Sequence, residues 1–186
     1  MNQPNKQINH LVEACINQES WAQMKLYDLY YKAMYNTAYR ILKNQMEAED
    51  IMQEAFLTAF AKINQFSKSV SFGAWLKKIV VNKSLTQLKK RQNQLLHFEL
   101  DEGRIPDTLD GESEDHWEDI TLKVEAVHEA LNSLKENYRI VLSLNLIEGY
   151  QLEEIAQIMN ISYGNARVIV SRAKSKLKDA LLVGHE

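Results

Sequence analysis

Two stretches of this chain concentrate side chains that bind phosphate. Lys77 to Arg91 carries six basic residues (Lys77, Lys78, Lys83, Lys89, Lys90 and Arg91) and no acid. Ile161 to Lys178 carries five, Arg167, Arg172, Lys174, Lys176 and Lys178, again with no acid. Cations grouped in this way displace counterions from a nucleic-acid backbone. Enzyme chemistry has no comparable constellation. His10, His97, His116, His128 and His185 are scattered and Cys15 is the single cysteine, so no metal-ligand cluster stands at a recognisable spacing. No serine or cysteine sits in a nucleophile motif, and no glycine loop suits a nucleotide phosphate. Carboxylates abound from His97 to Glu125, eleven against Arg104 and Lys123. Gly103, Pro106 and Gly111 interrupt that stretch, and a flexible segment cannot hold two carboxylates at the fixed separation that acid-base catalysis needs. No catalytic residue, metal or cofactor is expected.

The elements that position the basic stretches follow from composition and periodicity. The 186 residues carry a net charge of -3 and are 45% hydrophobic, which excludes collagen-like, wholly disordered and histone-like chains. Only two prolines and six glycines punctuate long runs of helix formers, so the expected fold class is all-α. Charge then divides the chain into a helical domain over 1–92, an acidic linker over 93–121 and a second helical domain over 122–186. The lone cysteine asks for no oxidising compartment, and no apolar run approaches the roughly 20 residues that span a bilayer. A cytoplasmic location without membrane insertion is the expectation.

Four helices are expected in the first domain. A short piece lies around Ile8 to Ile16. Leu26, Leu29, Tyr30, Ala33, Thr37, Ala38 and Ile41 trace the inward stripe of the next helix at steps of three and four. Ala48, Ile51, Met52, Ala55, Phe56, Ala59, Phe60 and Ile63 trace that of the third, after a connection at Lys43 to Gln45. A break at Asn64 to Val70 precedes a helix from about Ser71 to Arg91, with Phe72, Trp75, Leu76, Ile79, Val80 and Leu85 inward. The tyrosines Tyr27, Tyr30, Tyr31, Tyr35 and Tyr39 read as core and core-edge packing.

The second domain holds the sharpest local pattern. Leu152, Ile155, Ala156, Ile158 and Met159 make a short amphipathic helix, Asn160 and Ile161 turn the chain, and Ser162 is placed to cap a second helix. Ala166, Val170, Ala173 and Leu177 form its inward stripe. This is the pattern of a helix-turn-helix, whose second helix presents Tyr163, Asn165, Arg167, Val168, Ser171, Arg172 and Lys174 outward, mixing donors for base edges with charges for phosphate.

The stretches AEDIMQEAF (Ala48 to Phe56) and FGAWLKKIVVN (Phe72 to Asn82) resemble region 2 of the bacterial extracytoplasmic-function sigma factors of the sigma-70 family. YRIVLSL, EGYQLEEIAQIMNIS and RAKSKLK, following Leu134, resemble their region 4. The resemblance implies a transcription initiation factor whose partners are RNA polymerase core, promoter DNA and an anti-sigma factor. It implies that Asp50, Gln53 and Glu54 dock on the polymerase, and Leu57, one turn on, adds an apolar anchor. For the downstream (−10) element it implies melting by the loop Asn64, Phe66, Ser67, Lys68 and Ser69, holding a flipped base, and by Trp75, Lys77, Lys78, Asn82 and Lys83. For the upstream (−35) element it implies readout by the outward face of the second helix of the helix-turn-helix. Asn165, Ala166 and Arg167 replace the family's usual threonine, valine and lysine, and Ile169 stands where a basic residue is common. Lys135 and Thr86 likewise replace proline and aspartate. With Val168, Ile169 suits thymine methyl groups and an A·T-rich element. The alternative from another class is a stand-alone helix-turn-helix regulator whose first domain senses a ligand or dimerises.

Overall fold

The computed structural model describes residues 3–99 and 120–183, with side chains at 7–92 and 126–182. Among the described residues all regular structure is helical. The chain forms two compact units, 1–93 and 94–186. The core of the acidic stretch expected as a linker, residues 100–119, lies outside the described residues.

The first unit holds α1 (Gln3–Ile16), α2 (Ser20–Leu42), α3 (Gln45–Ala61), a single 3-10 turn (Ile63–Gln65) and α4 (Phe72–Glu99). The α2–α3 connection is two residues long. Lys43 takes a left-handed conformation (φ 53°) and donates its backbone N–H to Tyr39, while the Asn44 side chain accepts the Glu47 N–H at 2.9 Å. Capping at both ends of so short a link holds α2 directly against α3. All eight positions of the α3 stripe are buried or half-buried. The α2 stripe is rotated from expectation. Leu29 is 57% exposed and Ala33 is exposed, whereas Met34 is buried. The inward path runs Ala22, Leu26, Tyr30, Met34, Thr37 and Ile41, because the Tyr30 ring fills the position between α2 and α4 that Leu29 was expected to share. Gly73 makes this approach possible, since a Cβ there would stand 2.8 Å from the Tyr30 ring. α4 continues past Arg91, the expected end, through a run of helix-forming residues in which no glycine or proline intervenes before Gly103.

The second unit holds α5 (Ile120–Asn132), α6 (Glu136–Leu142), a π-helical turn (Ser143–Ile147), α7 (Leu152–Met159) and α8 (Tyr163–Val183). Leu131, Ile140, Val141, Leu142, Leu144 and Ile155 form its core with Ala166, Val170, Ala173 and Leu177 of α8. The π turn closes with Glu148 N–H donating to the Ser143 carbonyl at 2.9 Å, and Gly149 (φ 80°) then reverses the chain into α7. The Glu154 carboxylate accepts the Gln151 N–H at 2.8 Å and so fastens the start of α7.

Candidate nucleic-acid interfaces

On α3, Asp50, Gln53, Glu54 and Leu57 all lie exposed on one face, opposite the buried Ile51, Met52, Ala55 and Phe56. Leu57 is 70% exposed. The face has internal order: Gln53 Nε2 donates to Glu49 Oε1 at 3.3 Å, and Lys83 Nζ of α4 lies 3.0 Å from Glu54 Oε2. A carboxylate assigned to polymerase docking and an ammonium assigned to DNA thus meet in the folded chain, a pairing between residues 29 apart that sequence reasoning missed.

The loop after α3 is built on an aromatic cluster. Phe66 sits edge-on to Phe72 with ring centroids 5.9 Å apart and is tilted against Trp75 at 5.4 Å. Phe66, expected among the loop residues around a flipped base, is 7% exposed and anchors the chain leaving the 3-10 turn over the start of α4. Trp75 is half-buried in the same cluster. Asn64, Ser67, Lys68 and Ser69 remain at the surface, with the Ser67 and Ser69 hydroxyls 2.7 Å apart. Lys68 has φ 59° and pairs with Glu13 of α1 at 2.7 Å. That hydrogen bond, together with the charge of Lys68, holds the Glu13 carboxyl below its usual range. Ser71 then opens α4, its hydroxyl accepting the Ala74 N–H at 3.2 Å.

α4 sorts its basic residues by face. At helical spacing, Trp75, Lys78, Asn82, Thr86 and Lys89 share one outward stripe, and all but Trp75 are exposed. Lys83, Gln87 and Arg91 line the flank beside α3, where Gln87 and Arg91 both bond the Glu47 carboxylate at 3.1 Å and Arg91 also reaches the Leu42 carbonyl at 3.3 Å. Lys77 is half-buried. The run of cations is therefore part exposed stripe and part structural clasp.

In the second unit the local geometry is that of a helix-turn-helix. Asn160 ends α7 in a left-handed conformation (φ 55°), Ile161 N–H donates to the Ala156 carbonyl at 2.9 Å, and the Ser162 hydroxyl accepts the Asn165 N–H at 3.2 Å. The turn between α7 and α8 is only Asn160, Ile161 and Ser162. Ala166, Val170, Ala173 and Leu177 are buried, so Tyr163, Asn165, Arg167, Val168, Ser171, Arg172 and Lys174 are brought together on the exposed side of α8. Ile169 is half-buried at the edge of this face. The buried stripe of two alanines, Val170 and Leu177 seats α8 on its neighbours and leaves its cationic side exposed. Tyr150, before α7, is pushed up to about 12 by burial and by the nearby Glu148 and Glu154 carboxylates.

Among the described residues there is no group of three or more potential metal ligands, and no helix is long and apolar enough to cross a membrane. The model of Sigma-70 region 2 matches residues 26–94, and that of Sigma-70, region 4 matches residues 124–177. The ECF RNA polymerase sigma factor SigW of Bacillus subtilis is 30% identical over 171 residues, spanning 83% of this chain and 86% of that protein. The RNA polymerase sigma-H factor of Pseudomonas aeruginosa is 30% identical over 159 residues, spanning 76% and 77%. Among solved structures, the sigma factor RpoE of Bartonella quintana, crystallised with the anti-sigma factor NepR, has the same fold. It gives a TM-score of 0.63 at 24% identity over 86% of this chain and 96% of that one. CnrH, in complex with the cytosolic domain of CnrY, gives 0.54 at 22% identity over 95% and 97%. Two matched regions in the same order, joined by an acidic stretch, and relatives aligned over most of both lengths place the function in transcription initiation: the chain belongs to the sigma-70 family, among its ECF RNA polymerase sigma factors.

Proposed function

We propose that the chain binds RNA polymerase core through α3 and engages two promoter elements with separate units. Asp50, Gln53, Glu54 and Leu57 dock on the polymerase. Residues 1–92 recognise and open the downstream element, with Asn64, Ser67, Lys68 and Ser69 receiving an unpaired base and with Trp75, Lys77, Lys78, Asn82 and Lys83 beside the melted strand. Residues 122–186 read the upstream element through Tyr163, Asn165, Arg167, Val168, Ser171, Arg172 and Lys174. Residues 93–121 are the acidic tether between them. Opening needs no nucleotide hydrolysis, because contacts to the opened strand replace base pairing.

The observation that carries this reading is that Tyr163, Asn165, Arg167, Val168, Ser171, Arg172 and Lys174 are all exposed on α8 above the buried stripe of Ala166, Val170, Ala173 and Leu177, just after a turn of three residues. That geometry supports major-groove entry. An anti-sigma factor covering the α3 face is proposed as a regulator, since RpoE of Bartonella quintana was crystallised with one. The site of action is the cytoplasm.

The deciding experiment is transcription from genomic DNA by core polymerase with and without the full chain, followed by sequencing of transcript starts. Starts that appear only with the chain and share two spaced elements support the reading. Tight duplex binding by the chain alone, with no association with core polymerase, would transfer it to a stand-alone regulator.

A further inference from the structure

Lys68 holds a left-handed backbone at φ 59°, a region uncommon for residues with a Cβ and costly unless the surroundings support it. Three contacts impose it here. Phe66 fastens one side of the loop into the Phe72–Trp75 cluster, the Ser67 and Ser69 hydroxyls bond across the tip at 2.7 Å, and the Lys68 ammonium reaches 55 residues back to Glu13 at 2.7 Å. Glu13 lies on α1, outside residues 26–94 that match region 2, and α1 packs on the 3-10 turn from which the loop departs.

We infer that Glu13 is a positioning residue for base capture: through Lys68 it holds the loop 66–70 in the conformation that presents Ser67 and Ser69 to an unpaired base. The inference rests on the proposed role of this loop in opening DNA. Its physical content is that Lys68 acts through loop shape, not as a phosphate contact. With its ammonium neutralised by Glu13, the backbone of the loop is set before DNA arrives and the cost of ordering it is not charged to binding.

The test uses holoenzyme assembled from core polymerase and the full chain, with a forked duplex carrying a short randomised non-template overhang as probe. Bound overhangs are sequenced. Wild-type holoenzyme is expected to enrich one base at a fixed position, and if it enriches none, the assigned role of the loop fails, and this inference with it. Given that enrichment, Glu13→Gln is expected to flatten it about fivefold, the scale of releasing one backbone outlier, with the salt dependence of binding unchanged. The charge exchange Glu13→Lys with Lys68→Glu is expected to restore enrichment, which a simple loss of folding or of a phosphate contact would not allow. Retained enrichment in Glu13→Gln, tighter binding of all overhangs alike, or failure of the exchanged pair to recover would each overturn the inference while leaving the loop's role standing.

Discussion

Phe56 and Leu57 are neighbours in sequence on α3, one buried and one exposed, and truncating each separates folding from docking. Phe56 is 2% exposed, with its ring 4.9 Å from Tyr27 and 5.9 Å from Phe60. Phe56→Ala removes this contact set and leaves a cavity, a loss of roughly 3–5 kcal/mol. For a unit of this size that lowers the melting temperature by about 12 °C or more. Leu57 is 70% exposed, so Leu57→Ala changes stability by no more than about 0.5 kcal/mol. Its apolar surface is still available to a partner, and covering a leucine fully is worth about 1.5–3 kcal/mol. Scaling by the exposed fraction leaves roughly 1–2 kcal/mol, or about 5- to 30-fold in Kd for core polymerase. Urea titration followed by circular dichroism reads the first quantity, and competition between labelled wild type and each variant for core reads the second. The reasoning is refuted if Leu57→Ala binds core as wild type does, or if Phe56→Ala melts unchanged.

Three further expectations follow from single positions. A Cβ added at Gly164, in the first turn of α8, meets nothing within 4 Å, so Gly164→Ala should leave melting unchanged or raise stability by up to about 1 kcal/mol. The same change should weaken holoenzyme binding to upstream-element duplex in gel shifts, and undiminished binding would place this turn away from the DNA backbone. Tyr150 has a folded-state value of about 12 against an ordinary 10. Its neutral form therefore stabilises the second unit fully below about pH 10, and that contribution is lost as the pH rises toward 12. Tyr150→Phe should remove this alkaline loss from the pH dependence of the urea midpoint. On α4, Lys78→Gln should reduce the slope of log binding against log salt by about 0.7–0.9 without altering stability, whereas Arg91→Gln, which breaks the clasp to Glu47 and Leu42, should lower stability and leave the slope unchanged.

What was legible in the sequence was what neighbours in sequence decide. The α3 stripe could be read position by position because alanine and large apolar residues alternate at steps of three and four, with charged residues filling the gaps. The helix-turn-helix was legible for the same reason: Asn160 and Ser162 perform a left-handed cap and an N-cap using groups within five residues of their partners. α2 was ambiguous because apolar and aromatic residues crowd it on all sides. From Leu26 a step of three reaches Leu29 and a step of four reaches Tyr30, and only packing against Phe72 chooses between them. The π turn at Ser143–Ile147 has no sequence sign at all.

Long-range charge pairing was illegible for a physical reason. A count of cations from Lys77 to Arg91 treats each as solvated, yet Lys83 is neutralised by Glu54 and Arg91 by Glu47, partners that lie 29 and 44 residues away. Pairs of this kind are screened and individually weak where exposed, so they seldom decide a fold. They do decide which charges remain to meet a phosphate. In the first unit Lys78, Asn82, Thr86, Lys89 and Lys90 of α4 stay exposed, while Lys83, Gln87 and Arg91 on the flank of the same helix are bonded to α3. If α4 meets DNA as proposed, its densest run of positive charge is therefore only partly available, because Lys83 and Arg91 are already paired with α3.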